Sequence, residues 1–197
     1  VDKSWFPYGH LATALAAQGR YAEADSALRE LDSLVPGQPR GMEMQSQVRS
    51  AQGDYAGADS LLQVLLSSRS EPVYQQMATA DRITVAITQG RLTQAEGWAA
   101  AGLAEARQRG DEQRAYGYAG WMASIDYNVR PRPKRDLSAV EAVLREFPPE
   151  SLPPSDRPYI GLARLYAAAG QPAQARRYLT VARESDGRLW NPPIRVV

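Results

Sequence analysis

Little in this chain could make or break a covalent bond. Its single histidine is His10, and no nucleophile motif surrounds it. General acid–base work needs a group within hydrogen-bond reach of a reacting partner. An imidazole inside a helical stretch without such a partner reads as a structural or surface residue. Cysteine is absent, which removes thiolate nucleophiles, disulfides and thiolate metal ligands, and leaves the redox compartment open. A zinc site takes three or four suitably spaced nitrogen, sulfur or carboxylate ligands, and no such spacing occurs here. The carboxylates Glu23, Asp25 and Asp59 are spread along the chain in the manner of solvated helix faces. No strand is predicted, and so no glycine-rich phosphate loop follows one. Neither an enzyme nor a bound cofactor is expected.

The conspicuous charge cluster is Arg130, Arg132, Lys134 and Arg135. Such a run suits phosphates or an acidic partner. Broken by Pro131 and Pro133 and lacking interleaved aromatics, it reads instead as a soluble insertion. The whole chain balances 23 basic against 22 acidic residues, a net charge of +1, so nucleic acid is not an expected partner. The longest strongly apolar stretch, Leu61-Leu62-Gln63-Val64-Leu65-Leu66, is far too short to span a bilayer. The chain begins at Val1 and not at a methionine, and is expected to be a processed protein or a piece of a longer one.

The elements that carry these residues follow from an internal repeat. Gly19-Arg20-Tyr21-Ala22-Glu23-Ala24-Asp25-Ser26-Ala27-Leu28 aligns without gaps to Gly53-Asp54-Tyr55-Ala56-Gly57-Ala58-Asp59-Ser60-Leu61-Leu62, 34 residues later. Two further copies are Gly90-Arg91-Leu92-Thr93-Gln94-Ala95 and Gly170-Gln171-Pro172-Ala173-Gln174-Ala175. Each places a turn glycine first and an alanine five residues later. Tyr8, Leu11, Ala12 and Leu15 fall at helical spacing before the first glycine, and Tyr21, Ala24, Leu28 and Leu31 after it. The glycine can take the left-handed conformation that ends a helix, so the chain reverses there. The alanine lets the two helices approach closely. Neither helix can bury both faces alone, so neighbouring pairs must stack.

On these residues the chain resembles the tetratricopeptide repeat (TPR) family, whose unit of 34 residues is a pair of antiparallel helices. The resemblance assigns Gly19, Gly53, Gly90 and Gly170 to the turn and Ala24, Ala58, Ala95 and Ala175 to the crossing. Leu28, Leu62 and Leu179 follow nine residues after their glycines, with Ala99 in the third unit. Tyr159, Leu162, Ala163 and Tyr166 repeat the first-helix set in the last unit. The second unit departs from the pattern at Gln45 and Arg49 and relies on Met42, Met44 and Val48. The fourth lacks a turn glycine: Tyr116, Ala119, Gly120 and Ala123 are joined to Leu137, Val140, Leu144 and Phe147 by an irregular connection over 128–135.

The expected fold is therefore all-α, a TPR-like α-solenoid of about five helix pairs forming a right-handed superhelix. Helices are predicted near 7–18, 21–34, 40–52, 55–69, 72–89, 92–109, 112–127, 136–147, 156–169 and 172–185. Asp136 and Ser155-Asp156 supply start signals, Pro172 fits a first turn, and Gly187 a last one. One repeat domain over 1–187 is expected, with units near 5–38, 39–72, 73–110, 111–150 and 151–187 and an extended tail over 188–197.

In such arrays the first helices line a groove that takes extended peptides or partner helices. Its expected lining is Phe6, Gly9 and Thr13; Arg40, Glu43 and Gln47; Met77, Ala80 and Thr84; Arg114, Gly117 and Trp121; and Arg157, Ile160 and Arg164. Phe6, Arg40, Gln47, Met77, Arg114, Trp121, Arg157 and Arg164 are the candidate partner-binding residues, since aromatic and arginine side chains dominate binding hot spots. Trp121 serves equally well as core between units. Arg114, Arg157 and Arg164 point to an acidic or carboxylate-bearing segment, unless acids such as Glu112 and Asp156 neutralise them. TPR domains that clamp a chaperone's C-terminal carboxylate carry Lys, Asn and Arg where this chain has Gly9, Thr13, Met44, Met77 and Asp81, so that role is not expected. The stretch Ser151-Leu152-Pro153-Pro154-Ser155-Asp156-Arg157-Pro158-Tyr159 looks like repeat regions appended to bacterial serine/threonine kinases, and the alanine- and arginine-rich style looks bacterial. No kinase motif is present, so a kinase domain would lie outside this chain. The functional expectation is a protein-interaction or scaffold module, in a larger complex or a multidomain signalling protein. The alternative is a ligand-sensing regulatory domain.

Overall fold

The computed structural model describes residues 6–67, 72–129 and 136–185. Among them the architecture is all-α, without a strand. The helices are α1 (Phe6–Ala17), α2 (Tyr21–Leu34), α3 (Pro39–Ala51), α4 (Tyr55–Ser67), α5 (Pro72–Thr88), α6 (Leu92–Gln108), α7 (Glu112–Val129), α8 (Ser138–Glu146), α9 (Tyr159–Ala168) and α10 (Pro172–Ser185). The chain divides into two compact units, Val1–Ala95 and Glu96–Val197.

The turns explain the repeat spacing. Gly19, Gly53, Gly90 and Gly170 all have positive φ, between 72° and 83°, a region costly for residues with a Cβ. The amide after each glycine donates back across the turn: Arg20 to the Leu15 carbonyl, Asp54 to Arg49, Arg91 to Ala86 and Gln171 to Tyr166. This is the closure that satisfies the last carbonyls of a helix. The same residue then accepts the first bond of the next helix, from Ala24, Ala58, Ala95 and Ala175 in turn. Glycine and alanine thus stand five apart because one ends a helix and the other closes the first turn of its partner. The first three alanines are fully buried and Ala175 nearly so. A fifth instance, Gly110 followed by Asp111 and buried Ala115, turns α6 into α7 by the same bonds. The polar Glu112, where the other copies carry a bulky or ring residue, hid it in the sequence.

In the first unit, α1 packs on α2 and α3 on α4, while α1, α3 and α5 lie side by side. Ala12, Leu15, Ala16, Ala24, Leu28, Leu31, Met44 and Val48 form one core cluster, with Tyr8 against it. Ala58, Leu62, Leu65, Ala78 and Val85 form the next, with Met42 packed on its edge. Gly9 is close to Met44, whose sulfur occupies the space a Cβ would need. Two predicted core positions lie elsewhere. Leu11 is half exposed, because α1 turns Ala12 and Leu15 to α2 and α3. Tyr21 is 40% exposed and fastens the layer differently, its hydroxyl donating to the Ala51 carbonyl at 3.0 Å.

In the second unit, α7 packs on α8, and α9 on both α7 and α10. Tyr159, Leu162, Ala163 and Tyr166 are buried as expected, whereas Leu179 is 47% exposed. On α8, Val140 is buried as expected, and Val143 takes the fully buried place expected of Leu144. The predicted starts of α8 and α9 also move. Asp136 accepts from the Ser138 amide at 2.8 Å, so it precedes the helix by two residues. Residues 154–156 form a separate 3₁₀ turn, and Arg157 is extended because it precedes Pro158.

The segment between α8 and α9 is fastened along its length. Tyr116 donates to the Phe147 carbonyl, Ser151 bonds Glu112, and Tyr159 donates to Glu150 at 2.9 Å. Tyr178 stacks on both Tyr159 and Tyr166. Desolvation raises the phenol pKa of all four tyrosines, that of Tyr116 beyond the usual range. They act as neutral packing and donor groups. The 130–135 connection with its basic run, Gly187 and the 188–197 tail lie outside the described residues.

Candidate docking faces

The first-helix residues chosen from sequence fall into two settings, one in each unit. In the first unit, Arg40, Gln47 and Met77 come together with Glu43 and Asp81 where α3 meets α5. Arg40, Glu43 and Gln47 lie at three- and four-residue spacing, and so share one face of α3. Arg40 Nη1 stands 2.7 Å from Glu43 Oε2 and 3.6 Å from the Met77 sulfur. Gln47 Nε2 donates to Glu43 Oε1 at 2.6 Å and reaches Asp81 Oδ2 at 3.3 Å. Gln47 and Asp81 are 34 residues apart, so the same helical position in successive repeats meets across the layer.

Glu43 is only 3% exposed. Its Oε2 has the ion pair with Arg40 but no hydrogen bond of good geometry. Burial, and next the nearby Asp81 charge, push its pKa up to about 7, against the opposing pull of Arg40. Burial also raises the pKa of Asp81, less the effect of the Gln47 hydrogen bond and Arg40. In sequence Glu43 was a groove residue and Asp81 only a departure from a clamp. The signal that joins them was the repeat length itself.

A second partly buried pair holds α4 to α5: Arg82 Nε lies 2.7 Å from Asp59 Oδ1. Asp25 accepts from Gln52 at 2.9 Å. These two carboxylates are engaged between helices, and of the three expected on solvated faces only Glu23 is exposed, paired with Arg20. His10 is exposed on α1 and Thr84 on α5, while Thr13 is half-buried on α1. Phe6 begins α1, and its side chain lies outside the described residues.

In the second unit the three arginines have different surroundings. Arg114 Nε pairs with Asp111 Oδ2 at 3.0 Å. Arg157 donates to the carbonyls of Leu152 at 3.0 Å and Glu150 at 3.3 Å, inside the fastened segment. The partners shown here, Asp111 and the loop carbonyls, differ from the acids suggested by sequence, Glu112 and Asp156. Arg164 is exposed on α9 and lines a cleft of about 540 Å³ between α7 and α9, with Gly120, Ser124, Tyr127, Gly161 and Leu165. A Cβ at Gly161 or Gly117 would meet nothing within 4 Å. Packing within the chain therefore does not require glycine at either helical position, although glycine costs a helix roughly 1 kcal/mol relative to alanine. Trp121, on α7, is partly buried, and Ile160 is 36% exposed.

The described residues include no group of three or more His, Asp or Glu placed to hold a metal ion, and no helix long and apolar enough to cross a membrane. A tetratricopeptide repeat family model matches residues 6–30 and 157–179. These segments comprise α1 with most of α2, and α9 with half of α10, which are helix pairs built on the turns of Gly19 and Gly170. The match supports a tetratricopeptide family for this chain, and repeats of this kind generally mediate protein–protein interaction or scaffolding. No curated protein matches the chain.

Proposed function

We propose that this chain is a docking module for another protein, and that the cleft between α7 and α9 receives an acidic segment of it. The observation that carries the reading is Arg164. It is exposed at a cleft whose walls are otherwise glycine, serine, tyrosine and aliphatic side chains. A guanidinium offers planar, multi-donor contacts to a carboxylate, and the bare backbone at Gly161 leaves room for a chain to come close. Arg114 and Arg157, tied to Asp111 and to loop carbonyls, shape the surroundings and leave Arg164 as the principal contact. The proline-rich stretch 151–159, with its likeness to repeat regions beside bacterial kinases, favours a signalling setting.

Short acidic peptides and their charge-reversed counterparts, titrated against the native protein and Arg164→Ala, test the reading. Native protein should prefer the acidic set, the preference should shrink in high salt, and Arg164→Ala should abolish it. Equal binding of the acidic peptides by both proteins at low salt would refute the assignment. The volume of the cleft, about 540 Å³, also suits a small molecule, which is the observation behind a ligand-sensing role. Thermal stabilisation by a metabolite, with no peptide preference, would favour that second reading.

A further inference from the structure

We propose that the Arg40–Glu43–Gln47–Asp81 cluster is a proton-sensitive seam between α3 and α5, holding the two helices together more tightly when Glu43 is protonated than when it is ionised. The geometry sets one guanidinium against two carboxylates. Arg40 reaches Glu43 at 2.7 Å, and the Gln47 amide spans Glu43 and Asp81 at 2.6 and 3.3 Å. Glu43 lies almost wholly out of water, at 3% exposure. Ionised there, it loses its hydration and faces the like charge of Asp81, while Arg40 divides its contacts between Glu43 and the Met77 sulfur. Protonated, it escapes both penalties and leaves Arg40 to balance Asp81.

Apart from Asp81 of α5, the named charged groups of the elements around α3 are engaged away from Glu43. On α1 the titratable groups are Tyr8, packed into the first core cluster, and exposed His10. Asp25 of α2 is bonded to Gln52, and Asp59 of α4 is paired with Arg82 of α5. The groups acting on Glu43 are Asp81, which favours its protonated form, and Arg40, which opposes it.

The sign of the linkage follows. Glu43 binds its proton more tightly in the folded chain, with a pKa of about 7 against an ordinary 4.5. Its contribution to stability is complete below the ordinary value and is lost as pH rises through the folded one. Asp81, also raised, acts in the same direction. The seam thus loosens on passing from mildly acidic to neutral solution. Because it lies on the face of first helices, the charge of that face changes with it.

Two measurements test this. Carbon NMR of the side-chain carboxyls in the native protein should give Glu43 a midpoint near 7, moving down towards 4.5 in Asp81→Asn, where the like charge is gone. A native midpoint at 4.5, or one that does not move in Asp81→Asn, would overturn the proposal. Thermal midpoints between about pH 5 and about pH 8 should fall with pH in the native protein and in the exposed control Glu23→Gln, and fall much less in Glu43→Gln. An undiminished fall in Glu43→Gln would overturn it too. If Glu43→Gln does not fold, the carboxyl titration of the native chain decides.

Discussion

Ala58→Leu tests the helix crossing most directly. Ala58 is fully buried, its amide closes the first turn of α4 on Asp54, and it shares a cluster with Leu62, Leu65, Ala78 and Val85. A leucine adds three carbons where Leu62 and Ala78 at 0% exposure and Leu65 at 1% leave no path to solvent. Intrinsic helix propensity differs little between the two residues, so the effect must come from packing. Overpacking a filled core costs about 1–3 kcal/mol, and the absence of an escape route places Ala58 at the upper end of that range. For a chain of this size the thermal midpoint should fall by roughly 6–12 °C. Ala56, two residues earlier on the same helix, is exposed, and Ala56→Leu should change the midpoint by no more than about 1–2 °C. Calorimetry of both variants beside the native protein makes the comparison. Equal midpoints for Ala58→Leu and Ala56→Leu would refute the argument that this alanine sets the spacing between paired helices.

Other outcomes follow from single contacts. Gly53→Ala, which forces a Cβ onto a residue at φ of 83°, should cost about 1–2 kcal/mol, seen as an earlier urea midpoint with unchanged slope. Ala175→Leu should cost less than Ala58→Leu, because Ala175 is 6% exposed and the neighbouring Leu179 is already half in water; a larger loss would show that α10 is more tightly enclosed. Tyr116→Phe removes the donor to the Phe147 carbonyl and should cost about 1–2 kcal/mol, with faster limited proteolysis of residues 148–158 as the local readout. Native-like resistance of that segment would show that its other ties suffice.

The sequence alone determined four of the turns and the residues that sit at them, Gly19, Gly53, Gly90 and Gly170, and missed the like turn at Gly110. Glycine is the residue that tolerates positive φ, and an alanine five positions later is the smallest side chain that can occupy a crossing without a void or a clash. Both constraints are local, so Gly19 with Ala24 and Gly53 with Ala58 announced the helix pairs before any contact was known. Periodicity did less well at the edges of the stripe. Leu11, Leu144 and Leu179 have helical spacing, but the side a helix turns inward is fixed by its neighbours, and a residue one step around can be buried or half exposed.

The candidate sites depended still more on tertiary structure. Arg114, Arg157 and Arg164 are alike in sequence, yet one is paired with an acid, one is tied to loop carbonyls and one lines a cleft. Glu43 and Asp81 gave no sign of altered chemistry, because burial and the approach of a like charge exist only once α3 lies against α5. Helix formation is dictated by neighbours a few residues away, whereas the charge state of a carboxylate is dictated by what the fold packs around it.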